Sequence, residues 1–176
     1  MSKYPVIEVG DPWTADLANS MLADTTYKST ATPRTNNTLA DDPDLVTPTL
    51  VANGVYLVEF SIRYATTAVA TTGIKTAWNV PAGVLSTNKE VLGAGSTQTD
   101  GSADNDGGRF GVHGYATTIQ YGTRGSASLQ LRAYEASTVI MGATAGTVAL
   151  QWAQVTTSAT ASVVSAGSYV KVTRTG

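Results

Sequence analysis

Hydrophobic and polar residues alternate along most of the chain with a period of two, the spacing of β-strands that bury one face. The clearest run covers 55–65. Its apolar face would carry Tyr56, Val58, Phe60, Ile62 and Tyr64. Further strands are predicted at 25–30, 45–51, 73–79, 112–121, 129–141, 147–155, 160–164 and 168–174. About nine strands without a long helix predict an all-β fold, a β-sandwich or jelly roll.

Turn residues divide these strands. Asn53–Gly54 is the strongest hairpin signal in the chain, because both residues tolerate the left-handed backbone of a tight turn. The polar, Gly- and Asp-rich run 96–111 predicts a long surface loop. The large apolar residues expected in the core are Trp78, Trp152, Phe60 and Tyr56.

The first 24 residues follow a different pattern, which divides the chain into an arm (1–24) and a β domain (25–176). Asp11 before Pro12 is typical of a helix start. Trp13, Leu17 and Met21 then recur at helical spacing. A helix of two to three turns is marginal alone. This apolar stripe should therefore dock, either on its own domain or on another subunit or partner.

Composition and charge exclude several functions. The 176 residues correspond to one main domain. A net charge of −2 argues against a nucleic-acid or anionic-membrane partner. The chain has no Cys and one His, so disulfides, thiolate metal sites and a multi-histidine centre within one chain are excluded. We expect no cofactor.

Acidic residues supply the only metal candidates, and they are weak. Asp100, Asp104 and Asp106, near Gly101 and Gly107, resemble a calcium loop but lack its alternating register and later Glu. A solvated loop is the favoured interpretation, with a bound cation as the alternative. The second acidic cluster is Asp41, Asp42 and Asp44, which the intervening proline makes typical of a turn.

Catalytic patterns are equally weak. Ser86 and Lys89 match S-x-x-K without any partner motif. His113 stands alone and is interpreted as structural, although a threefold axis could gather three copies. Two carboxylates could serve a glycosidase. The better interpretation pairs Glu59 and Glu135 across strands with the neighbouring cations Arg63 and Arg132. We therefore predict that the protein is not an enzyme.

Several segments together resemble a known module. They are Thr38–Leu45, Leu50–Glu59, Ile74–Gly83, Gly146–Gln154 and Val164–Val172, preceded by the opening Trp13–Met21. In these segments the chain is similar to small virion proteins of tailed phages, especially phages of actinobacteria. Proteins of this kind occur as minor tail proteins, fibre tips and capsid decoration or head-fibre proteins. The likeness covers almost the whole chain and is weakest over 89–124.

The resemblance implies a jelly roll of the tumour-necrosis-factor-like kind that forms homotrimers. It implies a structural protein on the virion surface, made in the host cytoplasm, with the major capsid protein or tail proteins as partners. Capsid decoration is favoured, because the chain has neither a coiled-coil shaft nor a collagen-like repeat. The alternative is a minor tail protein or a receptor-binding fibre tip that recognises a host-surface glycan, using the 96–111 loop and aromatic residues such as Tyr115 and Tyr121.

Overall fold

The described part of the protein contains twelve β-strands. The structure is a computed structural model that describes residues 9–15, 18, 22–66, 73–95, 108–126 and 129–176. The strands are β1 (Asp24–Tyr27), β2 (Thr32–Arg34), β3 (Ala40–Val46), β4 (Val55–Ala65), β5 (Ile74–Asn79), β6 (Asn88–Ala94), β7 (Gly108–Gly114), β8 (Ile119–Tyr121), β9 (Leu131–Ile140), β10 (Ala149–Gln154), β11 (Ser162–Val164) and β12 (Tyr169–Arg174).

The strands form two antiparallel sheets, which confirms the all-β prediction and is compatible with a β-sandwich. The larger sheet has eight strands, with the order β1-β12-β4-β9-β6-β7 and with β11 pairing both β2 and β4. The smaller sheet has the order β3-β10-β5-β8. Buried side chains of both sheets join one hydrophobic core. Each sheet therefore has one face on the core and one face turned away from it.

Strand β4 lies in the middle of the larger sheet. It pairs with β9 on one side and β12 on the other. Its predicted apolar face is buried, and Phe60 meets Trp78 edge to face at 4.9 Å between ring centroids. The four predicted core aromatics are confirmed, because none is more than 5% exposed.

The predicted hairpin at Asn53–Gly54 is wrong. Asn53 does adopt the left-handed conformation that this dipeptide allows, with φ of 60°. The turn, however, joins β3 to β4, which belong to different sheets. A tight turn fixes the chain direction locally, whereas the pairing of the strands that follow depends on contacts distant in sequence.

The long loop predicted at 96–111 needs correction at its end. Residues 108–111 belong to β7, which pairs with β6, a strand that the alternation does not predict. Residues 96–107 lie outside the described residues. The strand predicted at 112–121 is divided, because a turn in which Thr117 donates to the Gly114 carbonyl at 3.0 Å separates β7 from β8.

The helix predicted in the N-terminal arm is absent from the described elements. Among the described residues of the arm, only Ala15 and Ala18 have helical backbone, and the Ala18 N–H donates to the Thr14 carbonyl at 3.0 Å. Trp13 is 67% exposed, so it gains no packing of the kind that stabilises a short helix. Leu17 and Met21 lie outside the described residues.

Candidate interaction surface and buried charge clusters

The face of the larger sheet that points away from the core carries a row of mostly aromatic and apolar side chains. Cross-strand register aligns one residue from each of six strands, and partners in register share a face. At about 4.8 Å per strand the row is about 24 Å long. We call it the first row; its members are Tyr27, Tyr169, Ser61, Tyr134, Leu92 and Phe110.

A second row lies beside the first and carries charges of both signs. Its members, again in register, are Thr25, Lys171, Glu59, Ala136, Glu90 and Val112. Lys171 and Glu59 form an ion pair with 3.2 Å between Nζ and Oε2. The Tyr134 hydroxyl donates to Glu59, and partial burial with this bond raises the pKa of Tyr134 above its ordinary value. We call the two rows together the outer face.

Large apolar side chains remain uncovered at the β6–β7 end of the outer face. Phe110 is 74% exposed, Val112 64% and Leu92 48%. Isolated exposed apolar residues are common on proteins, but a contiguous cluster indicates an interaction site. The cluster is contiguous because Leu92 lies directly opposite Phe110 across the β6–β7 hairpin.

A cationic cleft of about 490 Å³ borders the outer face at the β4–β9–β12 side. Arg63 and Arg132 lie directly opposite each other across β4 and β9. Within the described residues neither guanidinium has a carboxylate at ion-pair distance. Like charges in register are unfavourable, so the cleft is suited to an incoming anionic group. Its other lining residues are Ser61, Gln130, Leu131, Gly167 and Tyr169.

A fully buried glutamate lies between the two sheets. Glu135 on β9 forms an ion pair with Lys89 on β6, with 2.8 Å between Oε2 and Nζ, and both side chains are completely buried. Trp78 Nε1 donates to Oε2 at 2.6 Å, and the Tyr121 hydroxyl donates to Oε1 at 2.9 Å. Thr76 Oγ1 also donates to Oε1. The carboxylate is therefore saturated with donors, as a buried charge requires.

Burial changes the acid–base properties of the groups around Glu135. It lowers the pKa of Lys89 below its ordinary value, and the nearby carboxylate opposes this shift. Burial and the same carboxylate raise the pKa of Tyr121 far above its ordinary value. The Tyr121 hydroxyl therefore stays protonated and serves as a donor. The expected pairing of Glu135 with an arginine is wrong, because residues 132 and 135 point to opposite faces of β9.

A second buried cluster joins Lys28 to Asp42 and Asp44. The acidic turn expected at Asp41–Asp44 is instead part of β3, whose alternation buries Asp42. The sequence suggested none of this pairing, because a lone Lys at the end of a polar strand has the pattern of a surface residue. The one sequence feature that could have indicated a buried aspartate is the pair Asp42 and Asp44 directly before the apolar Leu45.

Most of the site residues predicted from the sequence lie outside the described part of the chain. Trp13 lies on the surface. The expectation that Tyr115 and Tyr121 contact a glycan is wrong, because both side chains are buried in the core. Asp100, Asp104 and Asp106 lie outside the described residues, as do Leu17 and Met21. No group of three metal-ligating side chains occurs in the described ranges. Within them no helix has the length and apolarity to cross a membrane.

Comparison with known proteins adds no relative. The chain matches no protein-family model, and no curated protein matches its sequence. The outer face and the buried charge clusters are therefore the features of this chain that bear on its function.

Proposed function

We propose that this chain is a non-enzymatic structural subunit on the exterior of a tailed-phage virion, where it forms a homotrimer through the outer face. A capsid decoration or head-fibre role is proposed ahead of a role in the tail. The outer face carries the proposal, because it places exposed apolar side chains, tyrosines and both charge signs on one face of the sheet.

The proposed fold is a jelly roll of the tumour-necrosis-factor-like kind. Its support is the strand order that remains when the β6–β7 hairpin and the short strands β2 and β11 are set aside. Numbered one to eight along the chain, the remaining strands run 1-8-3-6 in the larger sheet and 2-7-4-5 in the smaller one. This interleaving is the order of a jelly roll, in which the chain winds between two sheets as paired Greek keys.

Further copies of this chain are the proposed occupants of the outer face. The face is about 24 Å across, and seven-residue strands such as β6 and β7 extend about 23 Å along it. Several hundred Å² are therefore available, the scale of one partner's share of a standard interface. The mostly aromatic and apolar first row lies between the charged second row and the arginines Arg63 and Arg132, which matches the apolar centre and polar rim of protein interfaces.

The trimer is tested by placing charge in the apolar cluster. The double variant Leu92→Asp with Phe110→Asp should shift the protein from trimer to monomer, because two unpaired carboxylates would be buried at each interface. Light scattering measures the mass. Val51→Asp is the matched control, since Val51 is 53% exposed but lies off both rows, and it should leave the trimer intact. A double variant that keeps the mass of the unmodified protein would exclude this face.

The N-terminal arm is the proposed attachment element. Trp13 and Leu22 are 67% and 68% exposed, so the arm's described apolar residues remain uncovered by the β domain. Three arms on one trimer would add avidity to a weak single contact. Asp24, the last residue of the predicted arm, pairs with Val172 in β1, so a clean truncation stops at Ala23.

Removal of residues 1–23 should leave a folded trimer that no longer binds virions prepared without the protein. Binding is measured by co-sedimentation with those virions, and the fold is checked by circular dichroism. Full binding by the truncated protein would contradict the attachment role. Loss of folding would instead make the arm part of the core.

A receptor-binding fibre tip is the second candidate, and the cleft around Arg63 and Arg132 favours it. Two facing guanidiniums suit the carboxylate of an acidic host-surface glycan. Glycan binding that disappears in Arg132→Ala while the trimer persists would favour this candidate. Its absence, together with binding to capsids, would favour decoration.

A further inference from the structure

The Lys28 cluster has the components of a self-forming covalent cross-link. Lys28 follows β1 in the larger sheet, whereas Asp42 and Asp44 lie on β3 in the smaller one. Lys28 Nζ is 2.8 Å from Asp42 Oδ1 and 2.7 Å from Asp44 Oδ2. The side chains of Lys28 and Asp42 are completely buried, and that of Asp44 is 39% exposed. The Lys28 amine therefore contacts one buried carboxyl, that of Asp42, and one partly exposed carboxyl, that of Asp44.

Hydrogen bonds hold and polarise the Asp42 carboxyl. Trp152 Nε1 donates to Oδ2 at 2.9 Å, and the Asp44 backbone N–H donates to Oδ1 at 3.0 Å. Whichever oxygen remains after the other leaves would still accept an N–H bond. Such fixed donors stabilise the negative charge of a tetrahedral intermediate.

The Arg34 side chain covers the cluster from outside. Its guanidinium lies 4.5 Å from the centre of the Trp152 ring and donates to the carbonyls of Ala40 and Asp41, each at 2.7 Å. Burial lowers the pKa of Arg34, and Asp42 and Asp41 oppose this shift. The Asp42 side chain is completely buried, and this exclusion of water favours condensation over hydrolysis.

We propose that Lys28 and Asp42 condense to an intramolecular isopeptide bond. A proton passes from the Lys28 ammonium to the Asp42 carboxylate, and the neutral Nζ attacks Cγ. Asp44 takes a second proton from the nitrogen and returns it to the departing oxygen. One C–N bond forms, one C–O bond breaks, and one water leaves, so the step needs no other reactant. Fixed contact between amine and carboxyl supplies the proximity that such a step requires.

The two buried lysine clusters differ in the group that makes this chemistry possible. The Lys89 amine is paired with Glu135, and no second carboxylate of the described residues touches it. Glu135 also accepts three further donors, which stabilise it as a carboxylate. Lys28 instead has Asp44 beside Asp42, and the exposed side of Asp44 gives the released water an exit. The Lys89–Glu135 pair is therefore an internal control that should remain an ion pair.

The cross-link would join the first strand of one sheet to the first strand of the other. It would close a loop between residues 14 apart in sequence, next to the point where the arm enters the β domain. If the arm is the attachment element, which rests on the proposed function, a pull on it would reach both sheets through a covalent bond. The chemistry itself does not depend on that role.

Mass spectrometry of the denatured, unmodified protein tests the bond directly. The mass of the unmodified protein should be one water below the mass of its sequence. Lys28→Arg, which shares any N-terminal processing, is the uncondensed reference and should show its full sequence mass. Trypsin should fail to cut after Lys28, so that residues 4–34 and 35–63 appear as one branched species. A full sequence mass with normal cleavage after Lys28 would overturn the proposal. A branched species through Lys89 and Glu135 would overturn it as well.

The variant Asp44→Asn separates proton relay from folding. Because the Asp44 side chain is partly exposed, this variant should fold with an unchanged circular dichroism spectrum and should keep the full sequence mass. If Lys28→Arg does not fold, Asp44→Asn replaces it as the uncondensed reference, since both variants should keep their full sequence mass. Undiminished water loss in Asp44→Asn would overturn the assigned relay.

Discussion

Replacing Trp152 with alanine should lower the free energy of unfolding by about 3–5 kcal/mol, the usual cost of removing a buried aromatic ring. Trp152 is completely buried on β10, the second strand of the smaller sheet's order. Its loss opens a cavity in the shared core and removes the N–H that Asp42 accepts. Chemical denaturation at one fixed protein concentration measures the effect, since self-association adds to apparent stability.

Two matched variants divide the Trp152 effect into its parts. Trp152→Phe keeps one aromatic ring but loses the rest of the indole and the hydrogen bond to Asp42, so it should cost less than Trp152→Ala, about 1–3 kcal/mol. Trp13→Ala removes a ring that is 67% exposed and should change stability by at most about 0.5 kcal/mol. Equal effects of Trp152→Ala and Trp13→Ala would contradict the assignment of the core.

The second large effect is expected at Glu135. Glu135→Ala should cost about 3–5 kcal/mol, because it leaves the Lys89 ammonium buried without its counter-charge. It also leaves the Tyr121 and Trp78 donors without their acceptor. Thermal and chemical denaturation measure the loss.

The double variant Lys89→Met with Glu135→Gln is the informative comparison. It removes both charges while glutamine still offers an acceptor and a donor to the remaining groups. Removing a whole buried pair usually costs less than breaking it. The double variant should therefore be more stable than Glu135→Ala. If it were less stable, the ion pair itself would be the main stabilising element, contrary to this account.

The parts of the fold that the sequence predicts well are those with local signals. The alternation over 55–65 identifies β4 and its buried face, because a strand with one dry face must repeat every two residues. The aromatic core follows for the same reason. Neither inference needs knowledge of which strands pair.

The parts that it predicts poorly depend on partners distant in the chain. Strand β6 begins with the polar residues Asn88, Lys89 and Glu90, which is the pattern of a surface segment. Lys89 is nevertheless buried, where it pairs with a glutamate 46 residues away. The first row is invisible in the sequence, since its members come from six strands and only the register aligns them. A period of two shows that a residue faces outward, but not which residues lie beside it.

The mass of the purified, unmodified protein in solution tests the central proposal most directly. Light scattering across a micromolar concentration series should give about three times the chain mass of 18.2 kDa, as expected for closed threefold association through the outer face. A monodisperse species of 18.2 kDa throughout that series would contradict self-association, and with it the function proposed for the outer face.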